Sequence, residues 1–350
     1  MNQKFQGIFI ESIAACVPKK RITGAHFDYL LDTKELRKFE KTTGILERRY
    51  ANDATTASDL GYVAAKKILE AEEDVSQIKV LLFLSQTSDY KIPFTSNILQ
   101  DRLGLSKEIL CIDINAGCAG FIQGLSMAYA QASSLENGKV LLIVAETLSK
   151  ILSPNDRSTS MLFGDAGSAV LIGKDSNAKE TSYFNFFSDG ANFDAIIIPE
   201  GGYRNPFTEE TLNWQEDSTG NKSQKTHLTM DGARVFDFTL REIPKSIEAL
   251  LKNNNINKEA IDAFLLHQSN RFIIKQIASR LGISNEKVLL NIDRFGNTSG
   301  VTIPLLMVTE LAKETTFKTL LLSGYGSGLN WGNCVIALSP KLKNYDLIEI

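Results

Sequence analysis

The chain has 350 residues, 43% of them hydrophobic, with 38 Lys and Arg against 41 Asp and Glu and a net charge of -3. That composition supports a large buried core in two domains or one duplicated domain, and it excludes fibrous and disordered classes. The slight acidity leaves no overall basic field for nucleic acid or a membrane surface, so a charged partner must meet a local patch.

The four cysteines, Cys16, Cys111, Cys118 and Cys334, show no C-x-x-C or regular Cys/His spacing, which argues against a disulfide framework and a metal site. The opening "MNQKFQGIFIESIAACVP" lacks a basic start followed by a long apolar stretch, and no run reaches a membrane span. The opening is read as the first strand of a cytoplasmic protein, in which the sequons at Asn221 and Asn297 are chance matches.

Along the chain, short apolar runs such as "KVLLFLS" (79–85) and "KVLLIVA" (139–145) alternate with longer helical patterns. Continuous apolar strands indicate a sheet covered on both faces, hence an α/β molecule. Helices are expected over "TASDLGYVAAKKILEAE" and "ARVFDFTLREIPKSIEALLKNN", where Pro244 marks a start or a kink. The polar stretch "RNPFTEETLNWQEDSTGNKSQKTH" (204–227) has no apolar period and is expected to be a surface loop, a solvated excursion before a cover over a pocket mouth.

The second half repeats the first. "ILEAEEDVSQIKVLLFLSQTS" (68–88) aligns with "LLKNNNINKEAIDAFLLHQSN" (250–270), "CIDINAGCAGFIQGLSMA" (111–128) with "NIDRFGNTSGVTIPLLMV" (291–308), and "KVLLIVAE" (139–146) with "KTLLLSGY" (318–325). The near-constant separation predicts two similar βαβ halves packed face to face, residues 1–175 and 176–350. Ligands of open parallel sheets sit beyond the carboxyl ends of strands, so equivalent ends of two such halves can converge on one pocket. Those ends hold Cys118, His267 and Asn297.

Cys118 follows an apolar run and a Gly-containing turn and opens a helix rich in small residues. A thiol there sits at the positive end of a helix dipole, which lowers its pKa; the competing reading is a small buried hydrophobe. For Cys16, Cys111 and Cys334, inside or at the ends of strand-like runs, the hydrophobe reading prevails. His267 ends the apolar run of "DAFLLHQSN", a place suited to a general base or an oxyanion donor, though such a residue is more often a satisfied core histidine. Asn297, in the turn that duplicates the cysteine turn, offers an amide donor to a developing negative charge, or is an ordinary turn residue. "LLLSGYGSGLNWGNCVIAL" (320–338) has strands on both sides of its glycines, so it fits a hairpin offering backbone N–H groups better than a nucleotide loop. Arg271 and Lys275, one turn apart with Arg280 nearby, make a basic face for an acidic or phosphorylated partner, or a solvated surface.

Together with "TTGILERR" (42–49), "MLFGDAGSAVL" (161–171), "SDGANFDAIIIPEGGYRNP" (188–206), "MDGARVF" (230–236), "HQSN", "GNTSG" and "GYGSGLNWG", the segment "NAGCAGF" resembles the β-ketoacyl-acyl carrier protein synthase III family of the thiolase superfamily. The resemblance runs over nearly the whole chain. It implies a thiolase-like duplicated fold of two βαβ halves in five layers (αβαβα). It also implies a Cys118, His267 and Asn297 triad, with an oxyanion hole from the backbone N–H groups of Cys118 and Ser327. The implied chemistry is acyl transfer from an acyl-CoA or acyl carrier protein (ACP) donor to Cys118, then decarboxylative condensation with malonyl-ACP. In it His267 and Asn297 stabilise the enolate oxygen, Arg271 and Lys275 contact the carrier or coenzyme A (CoA), the enzyme is a homodimer, and neither metal nor other cofactor takes part. The family's W-x-x-x-R-T-G-I element, whose Trp and Arg hold the CoA adenine in acetyl-using members, stands here as "KFEKTTGI", with Lys38 and Thr42 in those places. That change leaves room for an ACP-borne or different acyl-CoA donor and tilts the expectation toward a specialised lipid, polyketide or surface-polymer pathway. Ser327 also replaces the Gly common in the oxyanion loop. Three rivals stand beside this reading: a non-decarboxylating acyltransferase of the same fold, a non-catalytic partner subunit, and a 3-hydroxy-3-methylglutaryl-CoA synthase. The last needs a Glu where Asn297 stands, and the second typically lacks the nucleophile.

Overall fold

The computed structural model describes residues 1–313 and 316–350. Its main strands are β1 (Asn2–Gln6), β2 (Ile8–Val17), β3 (Ile78–Leu84), β4 (Leu110–Ile114), β5 (Lys139–Glu146), β6 (Ala166–Lys174), β7 (Thr181–Ser188), β8 (Ala263–Leu266), β9 (Thr319–Gly326) and β10 (Asn330–Ala337). Its main helices are α1 (Thr33–Thr43), α2 (Ala57–Leu69), α3 (Thr95–Arg102), α4 (Gly120–Ser134), α5 (Gly232–Asn253), α6 (Arg271–Arg280) and α7 (Thr302–Glu310).

The repeat in the sequence is a repeat in topology. One sheet runs β2-β6-β5-β3-β4 and the other β7-β10-β9-β8, each with its second strand antiparallel to the neighbours and a parallel pair after it. Each end of the chain crosses to the opposite sheet: β1 pairs β7, and the short strands Lys343–Asn344 and Ile348–Glu349 pair β2.

The apolar strand runs explain the layering. Along β3 and β5, Val80, Leu82, Leu84, Val140, Leu142 and Val144 point into the space between the sheets. Their neighbours Leu81, Phe83, Leu141 and Ile143 point outward under α2 and α3. Both faces are therefore apolar and covered, with each fully buried aliphatic side chain stabilising by about 1.5–3 kcal/mol. Helices α4 and α7 lie between the sheets and touch both, while α5 and α6 cover the outer face of the second sheet. The result is the five-layered thiolase-like α/β arrangement.

Pro244 neither starts nor ends a helix but lies inside α5. A proline cannot donate to the carbonyl four residues back. That carbonyl, of Leu240, accepts the Arg280 guanidinium instead. Arg280 is thus turned toward α5 rather than adding to a free basic face. The 204–227 stretch is mostly exposed but not structureless, holding the hairpin Gln215–Glu216 with Lys222–Ser223. Glu200 ties its two ends by accepting from Thr211 and Lys225.

Candidate active site

Cys118 stands between the end of β4 and the first turn of α4, where the chain turns through Asn115–Gly117. The turn packs against the hairpin of β9 and β10, where a Cβ on Gly326 would come within 2.5 Å of Cys118 Cβ. Only glycine lets that strand pass so close. The enclosure has an electrostatic consequence that the sequence does not anticipate. Burial pushes the Cys118 thiol up to about 11, Glu146 pushes the same way, and the Ser299 hydroxyl, 3.7 Å from Sγ, pulls back. The expected lowering by the helix end is outweighed, because a thiolate on this half-buried side chain is only partly hydrated. Cys16 is held still higher, at about 12, by burial alone.

Glu146 ends β5 and is fully buried. Burial raises its carboxyl to about 7, although Gln86 N–H and the Thr87 and Ser85 hydroxyls donate to it. These bonds pin the 85–87 loop, whose Gln86 side chain donates to Ser327 Oγ at 3.4 Å.

His267 directly follows β8 and continues the parallel pairing through its N–H to Ser323 O. It is 1% exposed, and burial lowers its pKa to about 3, so the ring is neutral at physiological pH. Its Nδ1 lies 2.7 Å from Thr302 Oγ1, at the start of α7. Asn297 sits in the turn before α7, where its Oδ1 accepts Ser299 N–H at 2.8 Å. The side-chain atom facing a backbone N–H must be the amide oxygen, so the Asn297 NH2 is the end left for the site.

Cys118, His267 and Asn297 line one cavity of about 450 Å³ together with Gln86 and Ser327. Most of its wall is apolar, including Ile151, Phe163, Ile196, Met230 and Phe236. Among the described residues, the Ser327 N–H has no backbone or side-chain acceptor and the Cys118 N–H faces its own thiol, so both can turn to an oxyanion. No group of three or more His, Cys, Asp or Glu converges to hold a metal ion among the described residues.

Arg271 and Lys275 do not line this cavity, whereas Asn270 and Ile273 of the same segment do. Arg271 donates to Lys41 O at the end of α1, where Gly44, at φ 79°, leaves room for its stem. Lys275 is exposed, as are Lys34, Arg37, Lys38 and Lys41 along α1, and none of them is in a salt bridge among the described residues. Lys38 and Thr42 are both exposed, with no aromatic partner shown for either. Sequence reasoning passes over Ser299 and Thr302, although both fall in or beside "GNTSG", and over the apolar lining from Ile196 to Ile198.

A family model described as 3-Oxoacyl-[acyl-carrier-protein (ACP)] synthase III matches residues 112–190, and its C-terminal counterpart matches residues 251–338. Beta-ketoacyl-[acyl-carrier-protein] synthase III of Aliarcobacter butzleri (strain RM4018) is 33% identical over 94% of this chain and 97% of its own length. The protein of the same name from Streptococcus mutans serotype c is 33% identical over 94% of this chain and 98% of its own. The crystal structure of 3-oxoacyl-(acyl-carrier protein) synthase from Burkholderia xenovorans LB400 covers 100% of this chain and 99% of its own with a TM-score of 0.92, at 35% identity. With a thiolase-like fold, near-full-length relatives and a cysteine, a histidine and an asparagine brought to one cavity from both halves, the chain belongs to the β-ketoacyl-ACP synthase III family of condensing acyltransferases.

Proposed function

We propose that the protein transfers an acyl group from a thioester donor to Cys118 and condenses it with malonyl-ACP, releasing CO2 and a β-ketoacyl-ACP. The observation that carries this reading is the convergence of Cys118, His267 and Asn297 on one apolar cavity that Ser327 also lines. In the first half, Sγ attacks the thioester carbonyl, its oxygen gains charge toward the N–H groups of Cys118 and Ser327, and the carrier thiol leaves. In the second, malonyl-ACP loses CO2, charge passes to its thioester oxygen beside Asn297 and His267, and the carbanion attacks the acyl-cysteine. Cys118 is then released. The apolar wall suits an acyl chain.

Residues 1–175 and 176–350 act in this proposal as two units, the first bringing the nucleophile and the second His267 and Asn297. The exposed cations of α1, with Arg271 and Lys275, form the face that receives the acidic or phosphorylated carrier. The protein is a cytoplasmic homodimer in this reading. The edge strand β4 and the exposed Tyr90, Ile92 and Phe94 support a partner there, since an open strand edge beside apolar side chains invites cover. No helix of the described residues is long and apolar enough to cross a membrane. Supplying an acyl donor and malonyl-ACP should yield CO2 and a β-ketoacyl-ACP in equal amounts; CO2 without that product, or neither, would remove the condensing reading.

A further inference from the structure

Ser327 stands between two glycines in the turn after β9, with Gly326 packed against Cys118 and Gly328 at φ 130°. Glycines on both sides give this backbone wide conformational freedom. An oxyanion donor, by contrast, is effective only when its N–H is fixed before the charge develops. Two contacts grip Ser327 and leave its N–H as the free group. Its carbonyl accepts Asn330 Nδ2 at 3.1 Å, and Asn330 Oδ1 accepts the Ser188 hydroxyl at 2.7 Å. Its hydroxyl accepts Gln86 Nε2 at 3.4 Å, across 241 residues and from the other half of the chain. A glycine at this position would offer the second contact nothing to hold.

Gln86 is built as the fixed end of that contact. Its N–H donates to Glu146 Oε1 at 3.0 Å, the Thr87 hydroxyl donates to Glu146 Oε2 at 2.6 Å, and Thr87 Oγ1 accepts Thr147 N–H at 2.9 Å. Glu146 and Thr147 are buried at the end of β5, so the loop is tied to the centre of the first sheet. The Gln86 amide also seats on the cysteine turn. A Cβ on Gly117 would come within 2.1 Å of Gln86 Oε1 and 3.2 Å of Ser327 Oγ, so the two side chains meet over the residue before Cys118.

Resting on the reading of Cys118 as the acylated residue, we propose that Gln86, anchored on Glu146, is a positioning residue that braces Ser327 and aims its N–H at the oxygen of the acyl thioester. That oxygen gains charge twice, when Sγ attacks the donor and when the malonyl-derived carbanion attacks acyl-Cys118. The loss of CO2 between them places charge beside Asn297 and His267 instead. The brace therefore serves both attacks on the acyl carbonyl and not the decarboxylation.

Gln86→Met keeps the length of the side chain and removes its donor, while Ser327→Ala keeps the backbone N–H and removes the hydroxyl. Either change should slow single-turnover acylation of Cys118 on the order of tenfold, with the donor concentration at half-maximal rate unchanged. The double variant should match the single ones within about twofold. Ser327→Thr retains the hydroxyl and should stay within about threefold of the wild type. With malonyl-ACP, Gln86→Met should release more CO2 than β-ketoacyl-ACP, the difference appearing as acetyl-ACP when the carbanion takes a proton from water. Nitrogen-15 relaxation reads the brace without substrate: the Ser327 amide should have an order parameter of about 0.85 in the wild type and below about 0.6 in Gln86→Met. Multiplying losses in the double variant would make Gln86 a substrate contact and overturn the proposal. So would wild-type acylation by Gln86→Met, a Ser327→Thr enzyme as slow as Ser327→Ala, equal CO2 and product in Gln86→Met, or an amide equally rigid in both proteins. If the wild type forms no adduct at all, the reading of Cys118 fails instead, and the brace stands or falls on the Ser327 amide alone.

Discussion

The side-chain oxygen of Asn297 accepts the backbone N–H of Ser299 at 2.8 Å, so the amide nitrogen of Asn297 is the end presented to the reacting groups. Asn297→Asp keeps the accepting oxygen and replaces the donor with a second acceptor. Discharge of acyl-Cys118 by malonyl-ACP should fall on the order of 10²- to 10³-fold, because one preorganised donor is lost. Acylation should survive within about tenfold, since its oxyanion faces backbone N–H groups instead. Single-turnover measurement of each half separates the two; equal losses in both would show that Asn297 serves the fold of the turn.

Burial holds the Cys118 thiol at about 11, against the pull of the helix end. Iodoacetamide alkylation of Cys118 in the unliganded protein should therefore rise about tenfold per pH unit without levelling below about pH 9. Mass analysis of the Cys118 peptide gives the rate. Levelling near neutrality would mean that the helix end prevails over desolvation.

Two buried groups set opposite trends in stability with pH. Glu146 is raised from 4.5 to about 7, so the folded state keeps a proton that the unfolded chain gives up. Its contribution is fully present below pH 4.5 and is lost as pH rises through about 7, a loss on the order of 3 kcal/mol. Glu146→Gln should gain on the wild type from about pH 5 to 8 in denaturant titrations, provided its oxygen still serves Gln86 N–H. His267 is lowered from 6.5 to about 3, so the unfolded chain binds its proton first. That contribution is present above 6.5 and lost as pH falls toward 3, and His267→Gln should flatten the acid side. A Glu146→Gln protein whose stability tracks the wild type at every pH would contradict the Glu146 assignment.

Arg280 caps the Leu240 carbonyl that Pro244 leaves without its helical donor. Arg280→Ala should cost about 1–2 kcal/mol of unfolding free energy. In a Pro244→Ala background the new N–H can reach Leu240 O, so the same change should cost markedly less. A double-mutant cycle measures that coupling. Additive effects would show that the arginine and the proline act independently.

Most of the fold is legible in the sequence because both-sided burial writes itself into β3 and β5 as unbroken apolar runs, and duplication writes itself as a repeat. The strand–turn–helix around Cys118 is legible for the same reason. The exchange of terminal strands is not, since Asn2–Gln6, Lys343–Asn344 and Ile348–Glu349 are short and only partly buried. Nor is the direction of the Cys118 pKa, which depends on Glu146 and on the packed Gly326 strand rather than on neighbours in sequence. Thr302 escapes notice because its partner, His267, is 35 residues away and the contact exists only once α7 has docked. Arg280 reads as one more surface cation until Pro244 is placed across from it.

The most direct measurement is intact-mass analysis of the wild type and Cys118→Ala with a panel of acyl-CoA and acyl-ACP donors, followed by malonyl-ACP. The expected result is an acyl adduct on the wild type alone, which malonyl-ACP discharges with release of a β-ketoacyl-ACP. An adduct that persists in Cys118→Ala, or one on the wild type that malonyl-ACP leaves untouched, would contradict a condensing enzyme built on Cys118.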